Sequence, residues 1–266
     1  MAYKLIALDL DDTLLNAKKE VTPRTRAAIR KAAQAGVHVV LASGRPERGM
    51  KFVWDNIGLS GYTISSGGAV VLDPKGNEIF TCPVPDEAAK KIIRYAAQNS
   101  VYFQVYCGGD FYYPEWTENT AKYEASIKFK GIHDPGIPEW KDLKTSKILM
   151  IGTQKMAEDL RVRINRLFPE VQTVFSQNGY LEILNAGVSK GKALGFIAQS
   201  LGLAPGEIIA IGDSEIDIPM IEFAGLGIAM QNAGEAVRKK ADFVTSSCEE
   251  DGVALAINKF VLGEDI

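Results

Sequence analysis

The stretch YKLIALDLDDTLL, Tyr3 to Leu15, runs from apolar residues into three carboxylates within four positions. KLIAL, with no polar residue between Leu5 and Leu8, reads as a strand buried on both faces, the kind found in parallel sheets. Acidic residues are poor strand formers and costly to bury unpaired, so the strand ends at Asp9 and the cluster needs solvent or a compensating charge. Asp9, Asp11 and Asp12 are therefore either a capping turn that faces water or part of a metal site.

The next segments fix the fold class. PRTRAAIRKAAQAG reads as a helix with Thr22 as N-cap, Pro23 at its first position and Gly36 at its end. VHVVLAS, from Val37, is a second buried strand, followed by the turn GRP and a helix from about Glu47 to Asn56. The same grammar returns late: helix SKGKALGFIAQSLGL, strand EIIAIGD, short helix IPMIEFAG, strand LGIAM, helix NAGEAVRKKA, strand DFVTSS and a terminal helix around DGVALAINKF. The middle differs. It holds the helix DEAAKKIIRYAAQN, an aromatic hairpin VYFQVYCGGDFYYPEW, the strand KTSKILMIG, the helix MAEDLRVRINRLF and the strand pair VQTVFSQNGYLEIL. These patterns predict an α/β protein: a Rossmann-like parallel-sheet core from residues 1–81 and 188–266, with an α+β cap domain inserted at 82–187.

Ligand sites in parallel α/β sheets lie beyond the carboxyl ends of the strands. That rule selects Asp9 and Asp11 after the first strand, Ser43, Gly44 and Arg45 after the second, and Asp213 and Asp217 after IIAIG. Asp9 and Asp11 are two apart, so one can offer a carboxylate to a hard cation while the other offers its carbonyl or acts as an acid and base. Magnesium suits a few carboxylates plus a phosphate, whereas the twelve-residue calcium-loop pattern is absent. Asp217 is equally placed to cap the following helix. So acidic a site needs a cation, which Lys190, before the helix, can supply; its other reading is a solvent-facing lysine. Ser43 offers a hydroxyl and backbone N–H to phosphate, or simply ends a strand. GVSKGKA is not a nucleotide loop, because Gly187 and Gly191 are separated by three residues and Lys192 is followed by Ala193.

Taken in order, DLDDTLL, ASGRP, SKGKAL and GDSEIDIPM resemble the four motifs of the haloacid dehalogenase-like superfamily, and the whole chain resembles its Cof-type phosphatases with a type IIB cap. The resemblance implies magnesium-dependent hydrolysis of small phosphate monoesters, sugar phosphates among them, through an aspartyl phosphate. It makes Asp9 the nucleophile, Asp11 the general acid and base, Ser43 the phosphate-binding hydroxyl and Lys190 the charge neutraliser. Asp213 becomes the main further magnesium ligand, and Asp217 supports the metal shell. Two positions depart from the family pattern: Gly67 stands where Asn is common in ITSNGA, and Ile216 where Asn is common in GDxxND. Both remove side-chain hydrogen-bonding groups near the expected phosphate, so a phosphate-ester-binding regulatory protein is an alternative, and sugar phosphomutase activity is another.

In the middle segment, Tyr106, Asp110, Tyr112, Tyr113 and Trp116 are candidates to contact the alcohol half of a substrate or to pack the sheet, and Glu182 is a further candidate. Arg45 and Arg48 either steer an anionic substrate or serve packing. His38 and His133 form no evident site. With 30 basic and 33 acidic residues, net charge −3 and no long basic run, a nucleic-acid partner is not expected. Cys82, Cys107 and Cys248 form no CxxC pair, no apolar run reaches the ~18 residues of a spanning helix, and the first residues lack a signal-peptide pattern. These features predict a cytoplasmic protein, monomer or homodimer, acting on a small phosphorylated metabolite.

Overall fold

The computed structural model describes residues 3–264. The chain enters through β1 (Leu5–Asp9), α1 (Pro23–Gln34), β2 (His38–Ala42), α2 (Lys51–Ile57) and β3 (Tyr62–Ser65), then doubles back through β4 (Val70–Leu72) and β5 (Glu78–Thr81). The middle segment contributes α3 (Asp86–Gln98), β6 (Phe103–Cys107), β7 (Asp110–Tyr113), α4 (Glu118–Ile127), β8 (Ile132–His133), β9 (Lys147–Ile151), α5 (Gln154–Leu167), β10 (Val171–Gln177) and β11 (Tyr180–Asn185). The last part returns through α6 (Lys190–Leu201), β12 (Ile208–Gly212), α7 (Ile218–Phe223), β13 (Leu226–Ala229), α8 (Glu235–Arg238), β14 (Phe243–Val244) and α9 (Gly252–Ile257).

Among the described residues these strands make two sheets. The first has the order β14-β13-β12-β1-β2-β3-β4-β5, parallel except that β4 runs antiparallel to both β3 and β5. Strand β1 lies between β2 and β12, where the winding reverses, so its carboxyl end opens into the crevice typical of ligand sites. Its unbroken apolar run has a simple cause: Ile6 and Leu8 pack on one face against Ile29, Val53 and Val253, while Leu5 and Ala7 pack on the other against Leu194, Ile197 and Met220. A strand covered on both sides has no face to spare for polar residues.

The second sheet has the order β10-β11-β9-β6-β7-β8 and is largely antiparallel. One face buries Ile92 and Ile93 of α3 and Leu160 and Ile164 of α5; the other packs Tyr106, Phe111 and Tyr113 against Tyr123 and Ile127 of α4. Strands β6 and β7 form the expected hairpin, with Cys107 opposite Asp110 and Gly108 and Gly109 both at positive φ in the two-residue turn.

Three stretches fold where the sequence pattern assigns no element: β3 to β5, α4 and the two-residue β8. Strands β3 to β5 are short and broken by Gly67-Gly68 and the turn at Gly76, so they show no usable periodicity. Helix α4 is mostly polar and buries only Thr120, Tyr123, Glu124 and Ile127. Elsewhere the elements are shorter than expected. NAGEAVRKKA is helical only over Glu235–Arg238, after Gly234 as N-cap, and DFVTSS pairs only at Phe243–Val244, on the sheet edge.

Candidate active site

The register puts Asp9 opposite Ala42 and Leu8 opposite Ile211, so Asp9, Ser43 and Asp213 emerge side by side at the carboxyl edge of the first sheet. Lys190 arrives from another direction. Ser189 caps α6 through its side chain, which accepts from Lys192 N, and the first residue of the helix projects beneath the acidic edge. The loop after β3 presses on this point: Ser66, Gly67 and Gly68 all have positive φ, and a Cβ on Gly68 would lie 2.4 Å from the Ser189 carbonyl oxygen. Only glycine allows that approach.

Lys190 is 1% exposed, and its Nζ lies 2.6 Å from Asp9 Oδ1 and 2.5 Å from Asp217 Oδ1. The other Asp217 oxygen accepts from the backbone N–H groups of Asp213 and Ser214 and from the Ser214 hydroxyl. Asp217 thus ties the loop after β12 to Lys190. Asp213 Oδ1 accepts from the Thr13 hydroxyl at 2.7 Å, a partner that the sequence reading missed because Thr13 lies on a tight turn whose direction is set by the fold. Burial and the adjacent Asp217 carboxylate push the Asp9 carboxyl well above the usual range against the pull of Lys190, and the same two causes push Asp213 up to about 7. Burial disfavours charge on Lys190, but Asp217 and Asp9 outweigh it and raise its pKa.

Asp9, Asp213 and Asp217 each present an oxygen within 4.8 Å of the others. Asp9 Oδ2 and Asp213 Oδ2 receive no hydrogen bond among the described residues. The free Asp213 oxygen beside the Asp9 carboxylate, in an acid-rich corner, fits a hard divalent cation, which prefers oxygen donors. Asp11 stands apart from them: Arg45 Nε and Nη2 hold its two oxygens at 2.8 and 2.7 Å, and Lys19 Nζ is 3.0 Å from Oδ1. Burial alone would raise the Asp11 pKa, but the hydrogen bonds and charge of Arg45, with Lys19, hold it below the ordinary range. Both Asp11 oxygens are thus engaged, which leaves its backbone carbonyl for a cation.

Above this floor lies a cavity of about 280 Å³, whose lining includes Ser43, Gly44, Arg45, Tyr123, Glu182 and Ile216. Arg45 Nη1 donates to the Ile127 carbonyl at 2.6 Å, so one guanidinium joins Asp11 to the end of α4. Lys147 is 1% exposed, pairs with Glu182 at 3.1 Å and donates to the Gly44 carbonyl; the sequence reading gave it no role, as nothing in KTSKILMIG marks a buried lysine.

In the aromatic hairpin the rings pack against neighbouring residues. Tyr106 is buried behind Lys147 and hydrogen-bonds Tyr123, Tyr112 packs edge-on to Trp140 on the opposite face of the second sheet, and Tyr113 stacks on His133. Asp110 pairs with Arg48 at 2.8 Å outside the acidic cavity, and Trp116 is exposed. Only Glu182 among the cap candidates lines the cavity, because strand alternation puts it on the core-facing side while Leu181 and Ile183 face α3 and α5. His38 lies exposed at the start of β2.

Gly67 and Ile216 touch: a Cβ on Gly67 would lie 3.1 Å from Ile216 Cδ1 and 3.1 Å from Leu184 Cδ1. Ile216, Leu184, Ala69 and Val188 form one apolar cluster spanning both sheets, so the two departures in the motifs occupy a single packed seam.

The sequence pattern of haloacid dehalogenase-like hydrolases matches residues 6–257, and the chain belongs to that family. It is 34% identical to a putative phosphatase, YxeH, of Bacillus subtilis, over 98% of this chain and 100% of the relative. It is 30% identical to the 5-amino-6-(5-phospho-D-ribitylamino)uracil phosphatase YcsE of the same organism, over 97% of this chain and 96% of that one. A solved haloacid dehalogenase-like hydrolase from Bacteroides thetaiotaomicron superposes with TM-score 0.87 at 30% identity, covering 97% of this chain and 99% of the other.

Proposed function

We propose how this phosphatase of the haloacid dehalogenase-like type works: it hydrolyses small phosphate monoesters, sugar phosphates among them, at Asp9, with residues 82–187 acting as a cap domain over the site. The carrying observation is the Asp9 carboxylate, with Oδ1 held by buried Lys190 and Oδ2 free of any hydrogen bond among the described residues. A nucleophile needs that combination of a fixed position and an unused lone pair.

Asp9 Oδ2 attacks phosphorus, the bond to the ester oxygen breaks, and Asp11 gives a proton to the departing alcohol. Asp11 then takes a proton from water, which attacks the aspartyl phosphate, releasing inorganic phosphate and restoring Asp9. Ser43 and Lys190 steady the phosphoryl oxygens, where fixed donors in a buried site act most strongly. Arg45 holds Asp11 ionised, the state that serves the second step; entry of a phosphate dianion favours the proton that the first step needs. Asp213, the Asp11 carbonyl and the Asp9 carboxylate, through the oxygen that does not attack, would hold magnesium, which supplies charge stabilisation on the transferring phosphoryl group. Asp217 positions Lys190 and the loop after β12. Three free thiols suit a reducing cytoplasm, and no helix among the described residues is long and apolar enough to cross a membrane.

Phosphate release from a panel of esters, with and without magnesium, tests this reading. Magnesium-dependent turnover that Asp9→Asn lowers at least ~10³-fold is expected. Equal turnover by both proteins would overturn the nucleophile assignment.

A further inference from the structure

We infer that Glu182 is the specificity residue of the cap, accepting a hydrogen bond from a hydroxyl on the alcohol half of a sugar or polyol phosphate. The inference rests on the phosphatase reading above and names the substrate class for the same site.

Cross-strand pairing sets Gln104, Leu149 and Glu182 in one row across β6, β9 and β11, and Tyr106 and Lys147 in the next row of the same face. That face looks onto the acidic edge. Glu182 is 3% exposed and stands over Gly44, where an added Cβ would come within 2.9 Å of its Oε1. It therefore stands against the residue that follows Ser43 and lines the same cavity.

The two oxygens of Glu182 differ. Oε1 pairs with Lys147 Nζ at 3.1 Å, while Oε2 is buried with no hydrogen-bond partner. Lys147 is already committed, because it also donates to the Gly44 carbonyl and lies 4.4 Å from the centre of the Tyr106 ring. A buried acceptor left unpaired is unfavourable, and a donor brought by the ligand removes the defect. The chemistry of that donor follows from charge. Lys147 balances Glu182, so the missing partner is a neutral hydroxyl rather than a second cation, and a carboxylate on the leaving group would meet like charge. Tyr123 and Ser126, on the same cavity wall, add polar groups suited to a polyhydroxylated chain.

The test measures kcat/KM for pentitol and hexose phosphates, the single-deoxy analogues of the best of them, phosphoglycerate and hydroxyl-free phenyl phosphate, on wild type and Glu182→Gln with magnesium. In wild type, a hydroxylated ester should be preferred and at least one deoxy analogue should lose about tenfold or more. In Glu182→Gln the amide oxygen serves Lys147 and an NH₂ replaces the free acceptor, so the ratio of hydroxylated ester to phenyl phosphate should fall by about tenfold. A ratio that stays constant while all esters fall together would make Glu182 a scaffold residue and overturn the inference. So would a preference for phosphoglycerate, or deoxy analogues turned over as well as their parent, and the deoxy series needs no variant. If folded wild type hydrolyses none of the esters, the phosphatase reading itself fails and the inference with it.

Discussion

Lys190 shows how much can depend on one side chain. It is the cation between two buried carboxylates, Asp9 and Asp217. Replacing it by methionine keeps its volume but leaves both acids uncompensated, and breaking such a pair costs about 3–5 kcal/mol. Lys190→Met should therefore lower both stability, read as a fall in denaturant midpoint, and turnover. Lys190→Met combined with Asp217→Asn should regain part of the stability without regaining turnover. If the single variant is as stable as wild type, the buried triad is not the electrostatic unit described. Arg45 is a second such residue. Its partners Asp11 and Ile127 belong to different sheets' territories, so Arg45→Met should lose turnover at least ~10-fold while retaining the fold, measured by kcat and circular dichroism.

Among the elements, the turn Ser66-Gly67-Gly68 sets the site from behind. Gly68 has φ +107° and faces the Ser189 backbone, so Gly68→Ala should destabilise by about 2 kcal/mol or more and displace the start of α6. Chemical denaturation checks the first effect, and a parallel loss of turnover checks the second. Gly67 and Ile216 belong to the same region. Asn tolerates the positive φ at 67, but its side chain would strike Ile216 and Leu184; Ile216→Asn would put an amide into an apolar cluster. Each single change should destabilise by about 1–2 kcal/mol, and the pair should depart from additivity by at least ~0.5 kcal/mol. Additive effects would mean that the two departures from the family pattern are independent.

For the whole molecule, the first and second sheets meet, among the described residues, through polar bonds and an apolar seam. Arg45 reaches Ile127, Lys147 reaches the Gly44 carbonyl, Ser146 bonds Ser66, Arg48 pairs with Asp110, and Ile216 packs on Leu184. This arrangement sets the second sheet over the acidic edge. Chelation of divalent cations should abolish phosphate release, and magnesium should restore it. Arg48→Ala, at a half-exposed pair outside the acidic cavity, should change kcat/KM less than about threefold. A larger effect would show that the Arg48–Asp110 contact governs closure.

The α/β class and the residues that share the acidic edge were legible in the amino-acid pattern. Continuous apolar strands must be covered on both faces, and polar residues at their carboxyl ends must then converge; Asp9, Ser43 and Asp213 follow from that rule alone. Helix α1 was equally legible, from Thr22, Pro23 and Gly36. Partners distant in the chain were not legible. Thr13 with Asp213, Arg45 with Asp11 and Lys147 with Glu182 are separated by 200, 34 and 35 positions, and a residue type does not state which distant group it will meet. The aromatic hairpin shows the same limit: its composition suits both a binding face and a core, and only the packing of α4, α3 and α5 against the second sheet decided that Tyr106 is covered and Tyr112 half-buried while Glu182 faces the cavity. Local patterns set each element and its buried faces, but the orientation of one sheet over the other arises from long-range packing, which no local pattern encodes.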